Sequence, residues 1–193
     1  MTPEPRPATR DDAAVLARII NLAGEGLPLH QWRRSCGPDE DPWTYGESRA
    51  ARDSGGFSWR NAQVIEIGGS VAAGMIGFRI GPEPEPVDDL PPILRPLQVL
   101  ENRALGSHYL NAIATFPQYR GRGLARVLMQ RAEHLAVEAG SLSLIVASSN
   151  LPAQRLYASL GFAERAREPI VTNGWTGAEG HWILMVKALP PRP

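Results

Sequence analysis

An α/β domain is what this sequence predicts, on three observations. Apolar runs of strand length alternate with segments whose apolar residues recur every three or four positions. Glycines, prolines and helix-capping residues punctuate the alternation where elements should start and stop. The 193 residues, 43% apolar and 21% charged, have the composition of a soluble globule that can bury a substantial core. One domain over residues 1–193 is expected, with 1–6 and 189–193 frayed.

Taken in order, Pro3, Pro5 and Pro7 alternate, so their missing N–H groups would lie along one border of a strand, which suits a sheet edge. The segment that follows Arg10-Asp11-Asp12 reads as an apolar helix through Ile19 and Leu22. Asp41-Pro42-Trp43 is a helix start for a segment reaching about Arg52. Val64-Ile65-Glu66-Ile67, Gly68-Gly69 and the run from Val71 to Ile80 read as a hairpin. Residues 82–96 are acidic and proline-rich, an extended loop of a length uncommon in compact domains unless it lines a site or is disordered. A helix over 96–105 leads into the apolar run 109–116, a buried strand stopped by Pro117. Leu124, Leu128, Ala132, Leu135, Ala136 and Ala139 then mark the apolar side of a four-turn helix closed by Gly140. Residues 142–147 form another strand. Asn150 caps a short helix, Pro152 fits its first turn and Gly161 ends it before a further strand. The last strand is expected over 181–186.

Two of these junctions carry chemistry. Arg120-Gly121-Arg122-Gly123-Leu124-Ala125 joins the buried strand to the long helix. The first N–H groups of a helix have no partner within it, and the aligned peptide dipoles add positive charge, so an anion is favoured there. Gly121 and Gly123 leave room for a phosphate to approach, and Arg120, Arg122 and Arg126 surround it with cationic charge. An ordinary strand-to-helix turn would also use glycine. The second junction is Asn150-Leu151-Pro152-Ala153-Gln154-Arg155-Leu156-Tyr157-Ala158-Ser159-Leu160-Gly161-Phe162.

At these residues the chain resembles the GNAT superfamily of N-acetyltransferases. The first junction is similar to that family's R/Q-x-x-G-x-G/A pyrophosphate loop, with Arg120, Gly123 and Ala125 in the defining places. The second is similar to its N-x-x-A-x-x-L-Y-x-x-x-G-F signature, in the right order and about thirty residues downstream. The resemblance covers nearly the whole chain and is sharpest between 107 and 162. It implies a mixed, mostly antiparallel sheet of about six to seven strands flanked by helices on both faces. It implies acetyl transfer from acetyl-CoA to an amine of a small-molecule or peptide acceptor, by direct attack in a ternary complex. It implies further that Arg120, Gly121, Arg122, Gly123, Leu124 and Ala125 hold the CoA pyrophosphate. The main chain of Ile113, Ala114 and Thr115 would pair with the pantetheine arm as an added strand does. Asn150 would contact the cofactor, and Tyr157 would protonate or hydrogen-bond the departing sulfur. From the residues alone, Asn150 reads equally as a cap and Tyr157 as a core aromatic.

An amine with the basicity of lysine is protonated at neutral pH, and freeing it costs about 4–5 kcal/mol, so a base is needed. Glu101, in the helix before the central strand, is the candidate. His108 and an ordered water are the alternatives, and Asn111 can hold a water but cannot serve as a base. His30, His108, His134 and His181 have no metal-ligand spacing, so no metal is assigned. Trp32, Trp43, Tyr45, Phe57 and Trp59 crowd the N-terminal third, as core or as pocket lining. Trp175, in a glycine-rich loop, reads as a pocket or subunit contact, the latter in a homodimer.

Twenty basic residues balance twenty acidic ones, which argues against a nucleic-acid partner. No apolar run is long enough for a membrane span and prolines replace a secretory apolar block, so a cytoplasmic location is expected. The lone Cys36 fits a reducing compartment. Lys187 is the single lysine and lies far from the glycine loop, which excludes a nucleotide-triphosphatase P-loop. A non-catalytic acyl-CoA sensor would use the same cradle, and a dinucleotide-binding oxidoreductase lacks its full G-x-G-x-x-G here.

Overall fold

The structure is a computed structural model and describes residues 3–190; of the ends expected to fray, Met1, Thr2 and 191–193 lie outside the described residues. Seven strands, β1 (Arg6–Pro7), β2 (Ala62–Ile67), β3 (Ser70–Arg79), β4 (His108–Thr115), β5 (Ser141–Ala147), β6 (Ala163–Pro169) and β7 (His181–Ala188), form one sheet. Its order is β1-β2-β3-β4-β5-β7-β6, with β4 and β5 parallel and β1/β2, β2/β3, β5/β7 and β6/β7 antiparallel. The six α-helices are α1 (Ala13–Ala23), α2 (Leu27–Ser35), α3 (Pro42–Ala50), α4 (Arg95–Glu101), α5 (Leu124–Ala136) and α6 (Leu151–Ser159). This is the mixed, mostly antiparallel α/β fold that the motifs imply. The chain divides into two compact units, one of the residues up to Phe78 with Asn111–Ala132, the other of Arg79–Leu110 with the residues from Glu133 onward.

In the first unit, α1 buries Ala13, Leu16, Ala17, Ile19 and Ile20, the three- and four-residue spacing of one helix face. They join Val64, Ile76 and Ala112 in one core. Trp32 is part of it, edge-on to Trp43 with 5.9 Å between ring centroids, while Tyr45, Phe57 and Trp59 pack partly buried against it. The aromatic-rich third is thus mainly core. Gly46, mid-helix in α3, is explained by this packing, because a Cβ there would strike the Trp32 ring. Asp41 caps α3 by accepting the Thr44 N–H at 3.1 Å. α2 was not expected from the sequence; Pro28 occupies its first turn, where the missing N–H costs nothing. β1 is an edge strand. Arg6, expected to fray, is held by Asp12 at 2.9 and 3.0 Å and by Glu66, and Arg6 in turn holds the Asp12 carboxyl below its ordinary range.

In the second unit, β7 pairs with β5 on one side and with β6 on the other, and α4 packs on β6 and β7. The hydroxyls of Ser107 and Ser143 lie 2.7 Å apart in its interior. Trp175, expected at a pocket or subunit contact, packs within its own unit: it is 5% exposed and stacks on Trp182 of β7 with 5.8 Å between ring centroids. The helix expected over 96–105 ends at Glu101, so this residue is the last of α4.

In α5, Leu124, Leu128, Met129, Ala132 and Ala136 are buried while Leu135, assigned to the apolar side, is 39% exposed. Leu135 obeys the three- and four-residue spacing, but spacing alone does not say what covers a residue, and at this end of α5 it is Ala136 that is covered. Val137–Ala139 tighten into a 3-10 turn before Gly140.

Candidate active site

The predicted phosphate loop lies in the first unit. β4 ends at Thr115, Pro117–Tyr119 make a 3-10 turn, and the chain passes through Arg120 into Gly121 and Gly123, whose φ values of 75° and 76° are left-handed. α5 begins at Leu124, with the Gly123 carbonyl accepting from Arg126 at 3.0 Å and Val127 at 3.2 Å. Leu124 is buried and anchors the turn, while Ala125 is half-buried. A Cβ built on Gly121 or Gly123 meets no atom within 4 Å. No internal packing therefore demands glycine, and the loop keeps an open flank beside the helix start.

The charge around that flank is uncompensated. Arg120, Arg122 and Arg126 are exposed, and among the described residues none forms an ion pair. Arg120 Nε reaches back to the Thr115 carbonyl at 3.4 Å, and the Arg122 guanidinium sits 5.6 Å from the centre of the Tyr119 ring. The Thr115 Oγ1 is buried and has no hydrogen-bond partner among the described residues. Left-handed glycines, an open flank, unpaired guanidiniums and an orphaned hydroxyl fit a phosphate-bearing ligand. Ile113, Ala114 and Thr115 are the half-buried last residues of β4, whose ladder with β5 runs over His108–Leu110 and Leu142–Leu144.

The other candidates belong to the second unit. Glu101 is half-buried and its carboxyl hydrogen-bonds the Tyr109 phenol. Burial pushes the carboxyl up to about 7, against the lowering effect of that hydrogen bond. Tyr109 is 3% exposed, and burial first, then the Glu101 charge, drives its ionisation well above the ordinary phenol value. Burial lowers His108, so its ring is neutral around pH 7. Strand alternation puts His108 on the face of β4 opposite Tyr109.

Asn150 and Tyr157 sit at the two ends of α6. The Asn150 side chain caps the helix by accepting from the Ala153 N–H at 3.2 Å. From within α6, the Gln154 amide donates to the carbonyls of Ala147 at 3.1 Å and Ser148 at 2.9 Å, tying the helix to the end of β5. Tyr157 is 8% exposed, with its ring 5.9 Å from that of Phe162. Burial pushes its phenol up to about 12. Tyr109 is the residue the sequence reading missed. An aromatic in an apolar strand reads as core.

Among the described residues, no group of His, Cys, Asp and Glu could hold a metal ion, and no helix is long and apolar enough to cross a membrane.

Comparison with known proteins bears on this site directly. The profile of the family described as "Acetyltransferase (GNAT) family" matches residues 26–162, a span that contains both motif segments and Glu101. No curated protein matches the chain. Among solved structures, an acetyltransferase is similar over 96% of this chain and 99% of its own, with a TM-score of 0.66 and 22% identity. An N-acetyltransferase from Staphylococcus aureus Mu50 is similar over 95% and 99%, with a TM-score of 0.64 and 16% identity. The ribosomal-protein-S18-alanine N-acetyltransferase from Escherichia coli is similar over 68% and 70%, at 0.50 and 23%. At such identities these neighbours establish the fold, and the profile establishes the kinship: the chain belongs to the acetyltransferase (GNAT) family and is an acyltransferase.

Proposed function

We propose that this acyltransferase moves an acetyl group from acetyl-CoA to an amine of a small molecule or peptide, by direct attack in a ternary complex. The observation that carries the reading is the loop at the start of α5, with two left-handed glycines, an open flank and three exposed arginines that form no ion pair among the described residues. Arg120 to Ala125 would hold the pyrophosphate through backbone N–H groups, with the guanidiniums adding charge. Ile113, Ala114 and Thr115 would offer main-chain groups to the amide-bearing arm, and Asn150 a further polar contact.

Acetyl-CoA supplies the acetyl group as a thioester whose sulfur departs as a thiolate. Glu101 accepts the proton that the amine nitrogen must lose. A carboxylate near 7 is about half ionised at neutral pH and binds a proton more readily than an ordinary glutamate, the balance a general base requires. His108 keeps a neutral ring available. Tyr157 donates from its hydroxyl to the departing sulfur. With the phenol near 12 and a thiol near ~8.5, full proton transfer is uphill by about 5 kcal/mol, so hydrogen bonding is its contribution.

The test is release of free thiol from acetyl-CoA with a panel of alkylamines, polyamines, aminosugars and peptides, including one with an N-terminal alanine. Acceptor-dependent thiol release with a matching acetylated product is expected. Tight CoA binding with no transfer to any class of amine would favour a sensor instead.

A further inference from the structure

Tyr157 combines a buried ring with a hydroxyl that the chain itself does not use. Among the described residues, no side chain or backbone group hydrogen-bonds that oxygen. The fully buried polar side-chain atoms left without a partner among those residues are on His30, Gln31, Trp59 and Thr115. The Tyr157 oxygen is not one of them, so it stays within reach of a ligand. An oxygen with no partner of its own is aimed by the placement of its ring alone.

A phenol oxygen lies on the line through Cβ and Cγ. Turning the ring about that line leaves the oxygen where it is, so its position depends on the backbone of Tyr157 and on the torsion about Cα–Cβ. That torsion has staggered wells, and a change of well carries the oxygen away by several ångströms. Keeping the hydroxyl on one target requires a contact that holds one well.

Phe162 acts on both the backbone and the ring. Its N–H donates to the Tyr157 carbonyl at 3.1 Å, beside the Leu160 N–H at 3.0 Å, which binds the two residues together where α6 ends. The centre of its ring lies 5.9 Å from that of Tyr157 with 55° between the planes, a tilted contact of the kind aromatic pairs favour. Gly161, left-handed at φ 89°, provides the reversal that returns the chain to the helix end. Phe162 is itself 4% exposed and is followed directly by β6, whose Ala163 pairs with Val186 of β7. The ring that meets Tyr157 is therefore fastened to the sheet on one side and to the end of α6 on the other.

We propose that Phe162 is a positioning residue for the acyl transfer, its ring holding the Tyr157 side chain in the rotamer that sets the hydroxyl against the cofactor sulfur. The proposal rests on the proposed contact of Tyr157 with that sulfur. In this role Phe162 touches no reacting atom and acts through the phenol.

The test reads the cofactor and needs no acceptor. CoA with an isotope-labelled carbon beside its sulfur is bound to the protein, and its thiol is titrated by carbon NMR. A phenol donating to the sulfur favours the thiolate, so Tyr157→Phe should raise the midpoint of bound CoA by about one pH unit, a tenfold change in proton affinity. Phe162→Leu keeps the position apolar and removes the ring, and it should raise the midpoint by about half a unit or more, at least threefold. The two substitutions together should do no more than Tyr157→Phe alone. The parent's midpoint in Phe162→Leu overturns the proposal, as does a further rise in the double variant. Should Phe162→Leu not fold, Phe162→Met, which fills the space with an unbranched chain, is read by the same criterion. A purely structural Phe162 would lower the melting temperature in either background and leave the midpoint where it was. Failure of the Tyr157 contact looks different, because there Tyr157→Phe itself keeps the parent's midpoint and both readings fall.

Discussion

The Asn150 side-chain oxygen accepts the backbone N–H of Ala153 at 3.2 Å and so caps α6, the helix that carries Tyr157. One side chain thereby sets where the helix starts, and it is also the residue proposed to touch the cofactor.

These two roles separate by substitution. Asn150→Ala should lose about 1 kcal/mol of stability, the usual worth of a cap. Asn150→Asp retains the capping oxygen and should melt with the parent, yet its negative charge should weaken CoA binding several-fold. Thermal melts paired with calorimetric CoA titration check this, and equal CoA affinity in Asn150→Asp would leave the residue as a cap alone.

At the phosphate loop, Gly123→Val should weaken CoA binding at least tenfold. The control is Gly140→Val, because Gly140 is also left-handed, at φ 68°, and also faces open space. Both variants carry backbone strain of about 1–3 kcal/mol, so both should melt earlier, but Gly140→Val should bind CoA as the parent does. Equal CoA affinities in the two folded variants would remove the loop from the cofactor site.

Glu101 makes stability depend on pH. Its carboxyl ionises near 7 in the folded chain and near 4.5 when unfolded, so between these values the folded form holds a proton that the unfolded form has released. Its contribution is fully present below pH 4.5 and is lost as pH rises through 7, a change of about 1–3 kcal/mol after allowance for partial exposure. Glu101→Gln should flatten that slope and be more stable than the parent at pH 8, as urea unfolding at pH 5.5 and 8 will measure. The same variant should lower turnover most at neutral pH and recover partly at high pH, where free amine is abundant.

Tyr157→Phe preserves the packing against Phe162 and removes only the hydroxyl. CoA affinity should stay within twofold while kcat falls about 10²-fold, because the negative charge on sulfur develops only in the transition state. Single-turnover kinetics measure the chemical step itself, and an unchanged rate there assigns Tyr157 to packing.

Much of the fold was legible in the order of residues because it depends on local chemistry. Asp41 and Asn150 cap helices through bonds that reach three residues ahead, Gly140 ends α5, and the 64–80 hairpin alternates around two glycines. The loop from Arg120 to Ala125 is local in the same sense, since left-handed glycines ahead of a helix start can be read from a few adjacent residues.

Longer-range features were not legible. Leu135 obeys the apolar spacing and is exposed, since only the neighbours of α5 decide which edge of its stripe is covered. Trp175 read as a pocket or subunit contact, and only the fold brings Trp182, seven residues on, to where the two rings stack. The sequence by itself determined the α/β class, the family motifs and the candidate cofactor loop, all set by interactions within a few residues. The tertiary structure alone decided that Glu101 ends its helix half-buried against Tyr109, because desolvation and hydrogen bonding depend on which distant segments pack together, and these are what move its ionisation to about 7.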